Sequence, residues 1–210
     1  MTREFLYHFP SSYFWIGISG ASFIWGAAYN KEMSVVSFCY YGLGNGAAWS
    51  MLEYGFHRYS LHTILYDLHH KLHHSNWTRM STMFTPQWLV ISVSMFLYYL
   101  LLRTLGSRFT THSFIFLPLY YLLFEYVHLM SHSHKPKHPC LENIQYYHRL
   151  HHIYPSLHYG ITTPLYDWVF GTLHPDIPFD RRDIVWALFP MLWFIRALPL
   201  NKRKNRVHLD

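Results

Sequence analysis

The distribution of apolar residues along the chain predicts four long helices. Each of four runs is almost free of charged residues, and polar, histidine-rich segments follow the second and the fourth run. Buried helices of a soluble protein can be equally apolar, but four such runs in 210 residues leave too little polar sequence to cover them. We therefore expect membrane-spanning helices. The four runs are Tyr13–Tyr29, Val35–Phe56, Trp88–Leu102 and Ser113–Met130.

The expected architecture is all-α, with four transmembrane helices in two hairpins and a cytosolic helical cap, forming a single domain over residues 1–210. The third run is short, since it extends about 22 Å at 1.5 Å per residue and a bilayer core is about 30 Å thick. Ile184–Leu200 is also apolar, but Pro190 and Arg196 interrupt it, which favours an interfacial helix over a fifth span. The expected spans are about 13–30, 35–56, 88–102 and 113–130.

The composition and charge distribution support membrane-spanning helices and indicate on which face of the membrane the histidine-rich segments lie. The chain is 51% hydrophobic and only 13% charged. The turns opposite the histidine-rich segments carry Lys31, Arg103 and Arg108, whereas the other 14 of the 17 Lys and Arg residues lie with those segments and the termini. By the positive-inside rule, the histidine-rich face is cytosolic. Because the basic residues flank apolar spans, they indicate a lipid surface rather than nucleic acid, and the basic tail at 202–206 fits either anionic headgroups or solvent.

Ten of the 18 histidines repeat one arrangement twice, a spaced pair followed by a His-x-x-His-His triplet. Neutral imidazole is a preferred ligand of iron, zinc and copper, and one ion takes about four to six ligands, so ten imidazoles indicate two metal ions. Packed histidines and His-rich tracts would not repeat in this ordered way. The candidate metal ligands are His57, His62, His70, His73, His74, His128, His132, His148, His151 and His152.

Spacing predicts how these histidines face one another. The members of each triplet share one helix face, and so do His128 and His132 at i and i+4. His57 and His62 are five residues apart, about 140° off a shared face, so a helix end or a bend must separate them. Because two membrane spans lie between the two histidine-rich segments, both segments are expected on the same face of the membrane. The remaining histidines are not expected to bind metal, although His69, His134 and His158 are candidates to support the ligands; the others are His8, His112, His138, His174 and His208.

Carboxylates near the histidines are the candidate catalytic groups. Glu53 precedes His57 by four residues, and Glu125 precedes His128 with the Glu-x-x-His spacing of soluble di-iron bundles. Either could bind metal, but ten imidazoles already supply enough donors, so we expect the carboxylates to accept ring N–H groups and fix the imidazole tautomers. Glu125 and Asp167 are the candidate catalytic residues, and Asp67 is a weaker candidate.

The site chemistry favours oxidation of a lipid. Two irons can activate dioxygen for attack on a C–H bond, whereas zinc has no redox chemistry and would serve hydrolysis. At the mouth of a membrane helix bundle, a lipid tail gains about 0.8 kcal/mol per buried CH₂. A zinc hydrolase is one alternative. A metal transporter or store is another, although it would place its ligands within the membrane rather than past the helix ends.

These motifs resemble the fatty acid hydroxylase/sterol desaturase superfamily of membrane di-iron enzymes. The resemblance runs from about Trp49 to Pro178 and is closest to the fatty acid 2-hydroxylases of sphingolipid acyl chains. The four-residue gap between His57 and His62 is more similar to the fatty acid hydroxylases than to the sterol branches. The matching motifs are Glu53-Tyr54 ahead of His57-Arg58 and His62, the two triplets, His128-Leu-Met-Ser-His132, and the stretch Tyr159-Gly-Ile-Thr-Thr-Pro-Leu-Tyr-Asp167-Trp-Val-Phe-Gly-Thr172.

The resemblance implies that the ten histidines hold two iron ions, with zinc possible in purified protein. It implies that one oxygen atom of O₂ enters the substrate and the other leaves as water. A cytochrome b5-type donor and its reductase would supply electrons; the sequence has no His-Pro-Gly-Gly heme segment, so a separate donor is expected. The expected substrate position is carbon 2 of a long-chain acyl group, free or in ceramide, with a sterol C4-methyl oxidase or sterol desaturase as the alternative. The expected location is the endoplasmic reticulum, or the inner membrane of a bacterium. Phe124-Glu125 stands where relatives carry tyrosine and aspartate, so the resemblance does not extend to the substrate contacts.

Overall fold

The computed structural model describes residues 17–22, 24, 34–76, 85, 87–132 and 139–177. All regular structure in these ranges is helical, as the all-α prediction requires. Residues 17–22 and 24 are helical and are all that is described of the first expected span. Ile184–Leu200, the basic tail and His8, His134, His138 and His208 lie outside the described residues. In chain order the α-helices are α1 (Val35–Gly55), α2 (Tyr66–His69), α3 (Gln87–Ser131), α4 (Pro139–Ile153) and α5 (Leu165–Val169).

Helix α1 coincides with the second expected span to within one residue. It begins at a capping serine, because the Ser34 hydroxyl accepts a hydrogen bond from the backbone N–H of Ser37 at 3.1 Å. One side of α1 packs closely on α3. A Cβ on Gly42 would lie 3.2 Å from the Phe116 ring, and the Tyr120 hydroxyl donates to the Gly42 carbonyl at 2.7 Å. The absence of a side chain at Gly42 therefore allows the two helices to pack this closely.

The chain reverses direction within α3. Gly106 has φ 82° and ψ 170°, a conformation that glycine adopts far more readily than other residues. The rings of Tyr98 and Phe114 would be about 24 Å apart along a straight helix, but their centroids lie 5.0 Å apart. Val90 likewise packs on Tyr121. The two halves of α3 are thus antiparallel, and the first half continues past the expected end at residue 102 to the turn at Gly106.

The polar segment after α1 contains two π-helical stretches, Phe56–Ile64 and His70–His74, with α2 between them. Backbone hydrogen bonds in a π-helix run from i to i+5, so residues five apart come onto one side. This is the bend that the spacing of His57 and His62 requires, and their ring centroids lie 5.0 Å apart. The wider helical turn thus places both rings at one site.

The outer faces of α1 and α3 are apolar and exposed. Val35 is 80% exposed and Met95 is 68% exposed. Large exposed apolar surfaces are rare on soluble monomers and mark contact with a membrane or a partner. Within the described ranges one helical segment, Trp88–Ser131, is long and apolar enough to cross a membrane by length and composition, and it contains the reversal at Gly106. The number of spans stays a prediction.

Candidate metal centre

The structure brings nine imidazoles into two adjacent groups. In each group the nearest ring nitrogens all lie within 4.8 Å of one another, which is the spacing expected of ligands around one ion. Both groups draw on both histidine-rich segments, so the two parts of the chain meet at this site. The first group is His57, His62, His69, His74 and His151, and the second group is His73, His128, His132 and His148.

Short contacts between ring nitrogens define the first group. The Nε2 atoms of His62 and His151 are 3.0 Å apart, although the residues lie 89 positions apart in the sequence. His69 Nε2 lies 3.2 Å from both His57 Nε2 and His74 Nε2. Neutral imidazoles cannot all donate to one another, so nitrogens converging in this way fit a shared cation at their centre.

The second group is formed by α3, α4 and the end of the second π-helical stretch. His148 Nε2 lies 2.8 Å from His132 Nε2, and His128 Nε2 lies 3.2 Å from His73 Nε2. All four residues are buried. His128 and His132 are separated by one turn at the end of α3, as their i and i+4 spacing predicts.

Burial keeps the imidazoles in the form that binds metal. It lowers the pKa of His57 to about 4 and the pKa of His62 and His74 to about 3, with repulsion between neighbouring rings acting in the same direction. Burial likewise lowers the pKa of His148 and His151 well below the usual value. Since the neutral ring carries the free lone pair, these groups are ready to coordinate at neutral pH.

A loop between α4 and α5 contacts the first group through its backbone. We call residues 157–163 the bridging loop. Its Tyr159 carbonyl lies 2.6 Å from His57 Nδ1, and its Leu157 carbonyl lies 2.7 Å from His151 Nδ1. A carbonyl can only accept, so in both rings Nδ1 carries the proton and Nε2 is the nitrogen available to a metal.

Two buried carboxyl groups hold the bridging loop. Asp167 accepts hydrogen bonds from the backbone N–H groups of Tyr159 and Gly160 at 2.7 and 2.8 Å. Glu53 accepts from the next two N–H groups, those of Ile161 and Thr162, at 2.6 and 2.7 Å. Burial raises the pKa of Asp167 to about 7, while its hydrogen bonds act in the opposite direction. The loop is therefore fixed at four consecutive residues.

An apolar cavity of about 520 Å³ extends from the imidazoles between α1 and the two halves of α3. His57, His73 and His128 line one end of it. Leu100 and Phe114 line the cavity near the turn of α3, about 21 Å from His128 along the helix at 1.5 Å per residue. Its shape and lining suit a long apolar chain whose reactive carbon lies beside the imidazoles.

Sequence comparison places this site in a known family. The sequence model of the family described as "Fatty acid hydroxylase" matches residues 43–172, which include every imidazole of both groups and the bridging loop. The chain belongs to the fatty acid hydroxylase family. This confirms the resemblance predicted from the histidine motifs.

One curated relative is the dihydroceramide fatty acyl 2-hydroxylase FAH2 of Arabidopsis thaliana, which is 30% identical over 139 residues. The match covers 60% of this chain and 56% of the relative, so the chain spans just over half the length of that relative. No solved structure matches.

Three histidines differ in position from the motif-based prediction for this hydroxylase family member. His69 was expected to support the ligands, but it lies inside the first group. The predicted ligands His70 and His152 lie beside the groups: His70 Nε2 is 3.2 Å from His62 Nδ1, whereas the His152 ring lies between the groups, with Nε2 3.1 Å from His148 Nε2 and its centroid 4.4 Å from that of His74. The signal for His69 is its spacing of five residues from His74, which a π-helical turn brings to one side, and their Nε2 atoms lie 3.2 Å apart.

The carboxylates also differ from their expected contacts. Asp167 reaches His57 through the Tyr159–Gly160 peptide group rather than by accepting a ring N–H directly, and Glu53 binds the next two N–H groups of the bridging loop. Glu125 accepts from the Tyr121 hydroxyl at 2.8 Å and from the backbone N–H of Thr85 at 3.3 Å. Asp67 forms an exposed ion pair with Lys71 at 3.3 Å and does not face the two groups. A catalytic role for Glu125 or Asp167 stays a prediction.

The other histidines that the structure describes are held by structural contacts. His158 lies in the bridging loop and its Nε2 accepts from the backbone N–H of His174 at 3.2 Å. Buried His112 stacks on Tyr41 and contacts the Arg108 carbonyl through Nδ1. That His112, His158 and His174 do not bind metal stays a prediction.

Proposed function

We propose that this protein is a membrane hydroxylase with two iron ions, which places a hydroxyl group on carbon 2 of a long-chain acyl group of a ceramide-type lipid. One observation carries the proposal: two groups of buried or half-buried imidazoles lie side by side at the end of a long apolar cavity. Family membership supports a hydroxylase, and the name of the Arabidopsis relative supports carbon 2 and a ceramide-type acyl chain.

The donor set fits two transition metal ions. Five imidazoles in the first group and four in the second match the ligand number that one ion takes, and the lowered pKa of His57 and His62 keeps these two rings neutral. His70 would complete the first coordination shell, since it contacts His62, and His152 would complete the second, since it contacts His148. When bound, two irons would supply the activation of dioxygen. We place zinc second, because zinc in purified protein would reflect its higher affinity at nitrogen sites.

The cavity residues would bind and orient the substrate. An acyl chain that enters from the bilayer exchanges contacts with lipid tails for contacts with the cavity walls, so close packing against α1 and α3 would select it. Leu100 and Phe114 near the turn would limit how far the chain enters, which places carbon 2 and the headgroup at the imidazole end. The apolar walls keep water away from the reacting carbon.

The overall reaction requires outside electrons. One C–H bond of the acyl chain becomes C–OH, one oxygen atom of O₂ enters the product, and the other leaves as water. Two electrons and two protons balance this change, and we assign them to a cytochrome b5-type donor and its reductase. The site would face the cytosol, where such a donor can approach it, while α1 and the two halves of α3 would lie in the bilayer as three spans and the first predicted span, about 13–30, would complete four.

Lipid analysis tests this function directly. The protein is expressed in a host that lacks its own 2-hydroxylase, and ceramides and sterols are extracted and analysed side by side. We expect 2-hydroxylated acyl chains that are absent from cells carrying the empty vector. Oxidised sterols without hydroxylated ceramides would instead support the sterol oxidase alternative and contradict the proposal.

A further inference from the structure

We propose that Asp167 is a positioning residue for His57 that acts through one peptide group of the bridging loop, and that it thereby controls the first metal site and not the second. The inference rests on the two-metal site proposed above. In this role Asp167 touches neither metal nor substrate.

The connection from Asp167 to His57 passes through a single amide. The Gly160 N–H donates to Asp167 Oδ2 at 2.8 Å, and the Tyr159 carbonyl of the same peptide group accepts from His57 Nδ1. Hydrogen bonds at both ends of an amide polarise it and strengthen one another. Asp167 therefore makes the Tyr159 carbonyl a stronger acceptor, and His57 becomes a more basic ligand at Nε2.

His57 Nε2 faces the centre of the first group. It lies 3.2 Å from His69 Nε2, and the ring centroids of His57 and His151 are 4.5 Å apart. The orientation of His57 is therefore set from outside the group by the bridging loop. The orientation of the His57 ring and the basicity of its Nε2 atom therefore both depend on the Tyr159–Gly160 peptide group.

The loop backbone is shaped to allow this contact. A Cβ on Gly160 would lie 2.1 Å from the Thr163 carbonyl oxygen and 2.8 Å from Asp167 Oδ2, so only glycine fits. His158, two residues earlier, adopts φ 55°, which is uncommon for a non-glycine residue. Glu53 fixes the next two residues of the loop, so the Tyr159–Gly160 peptide is held on both sides.

The carbonyl groups of the bridging loop contact imidazoles of the first group. Its two carbonyl contacts with candidate ligands, to His57 and to His151, both go to the first group. The second group is arranged by the end of α3 and by α4. Loss of the Asp167 carboxylate should therefore weaken one metal site selectively.

Cobalt binding tests this selectivity without any measurement of catalysis. The full chain in detergent is stripped of metal and titrated with Co²⁺, followed by visible absorption. His132→Ala leaves the first site as the main site, and His62→Ala leaves the second. We expect Asp167→Asn to weaken Co²⁺ binding about 10–100-fold in the His132→Ala background and to shift its absorption bands. Binding in the His62→Ala background should hardly change.

Controls separate positioning from general loss of structure. Asp67→Asn removes an exposed carboxylate on the histidine-bearing segment and should leave both sites unchanged. Glu53→Gln should give the same selectivity as Asp167→Asn with a smaller effect, and it serves as the test if Asp167→Asn does not fold. Equal weakening of both sites, or no weakening, would overturn the inference while the two-metal site stands. Binding of fewer than two Co²⁺ by the unmodified chain would overturn the two-metal site itself.

Discussion

Which ring nitrogen a histidine offers to a metal depends on what the other ring nitrogen contacts. In His57 and His151 a backbone carbonyl occupies the Nδ1 side, which directs Nε2 into the first group. His69 has Nε2 within 3.2 Å of two other members of that group, whereas His70 stacks on Tyr66 with ring centroids 4.0 Å apart. His69 and His70 are adjacent in the sequence but have different surroundings, although the motif spacing allows either residue to be a ligand.

Replacing these two residues separately tests the geometry. We expect His69→Ala to weaken metal binding at the first site by about 10–100-fold, because it removes a central donor. His70→Ala should have a smaller effect on metal affinity. Metal content after dialysis against a graded chelator measures both. If His70→Ala loses metal while His69→Ala retains it, the sequence motif predicts the ligand better than the structure does.

Gly160 provides a test of the bridging loop. Gly160→Ala should lower the free energy of unfolding by about 1–3 kcal/mol, because the new methyl group would overlap the Thr163 carbonyl. Gly44→Ala is the matched control, since a Cβ there meets nothing within 4 Å and alanine favours a helix. Denaturant unfolding in detergent measures both variants. An unchanged midpoint for Gly160→Ala would show that the loop is not packed as described.

The π-helical stretches and the hairpin of α3 determine the shape of the site. Five-residue spacing of His57 and His62 requires a departure from the α-helix, and Phe56–Ile64 supplies it as a π-helix. The reversal at Gly106 forms the wall of the cavity, which ends near Phe114 and Leu100. The lengths of the two halves of α3 therefore set the depth available to an acyl chain.

Phe114 should influence the preferred chain length. Phe114→Ala deepens the cavity, so products should shift to longer acyl chains, because the removed ring leaves space for further CH₂ groups at the end of the chain. Met95→Ala, on the exposed outer face of the same hairpin, should leave the distribution unchanged. Chain lengths of the hydroxylated lipids measure the effect. An identical distribution for Phe114→Ala would place the end of the acyl chain elsewhere.

Two histidine-rich segments that are far apart in the sequence form one site. Motif spacing was sufficient to predict the helical class, the family and the convergence of two histidine-rich segments. It could not separate His69 from His70, because both can lie near the same face of a short helix. Nor could it reveal the contacts of Asp167 and Glu53, since these go to backbone N–H groups, which are the same in every sequence apart from proline.

Without metal, the site should make the fold sensitive to acid. The pKa of His57 is about 4 in the folded protein and that of His62 and His74 about 3, against 6.5 for an unperturbed histidine. Below pH 6.5 the unfolded chain binds more protons than the folded one, so stability falls as the pH is lowered from about 6.5 towards 4. Thermal unfolding of the metal-free protein across this range measures the trend. A midpoint independent of pH would show that the imidazoles are not buried together.

We propose that the two groups of imidazoles would hold two iron ions, which would supply the oxygen chemistry for hydroxylation of a lipid acyl chain. The most direct measurement combines iron content with ¹⁸O₂ labelling of the product, using purified protein supplied with NADH, a cytochrome b5-type donor and its reductase. We predict two irons per chain and one oxygen-18 atom on carbon 2 of the acyl product. Full activity in iron-free protein, or product oxygen that comes from water, would contradict this account.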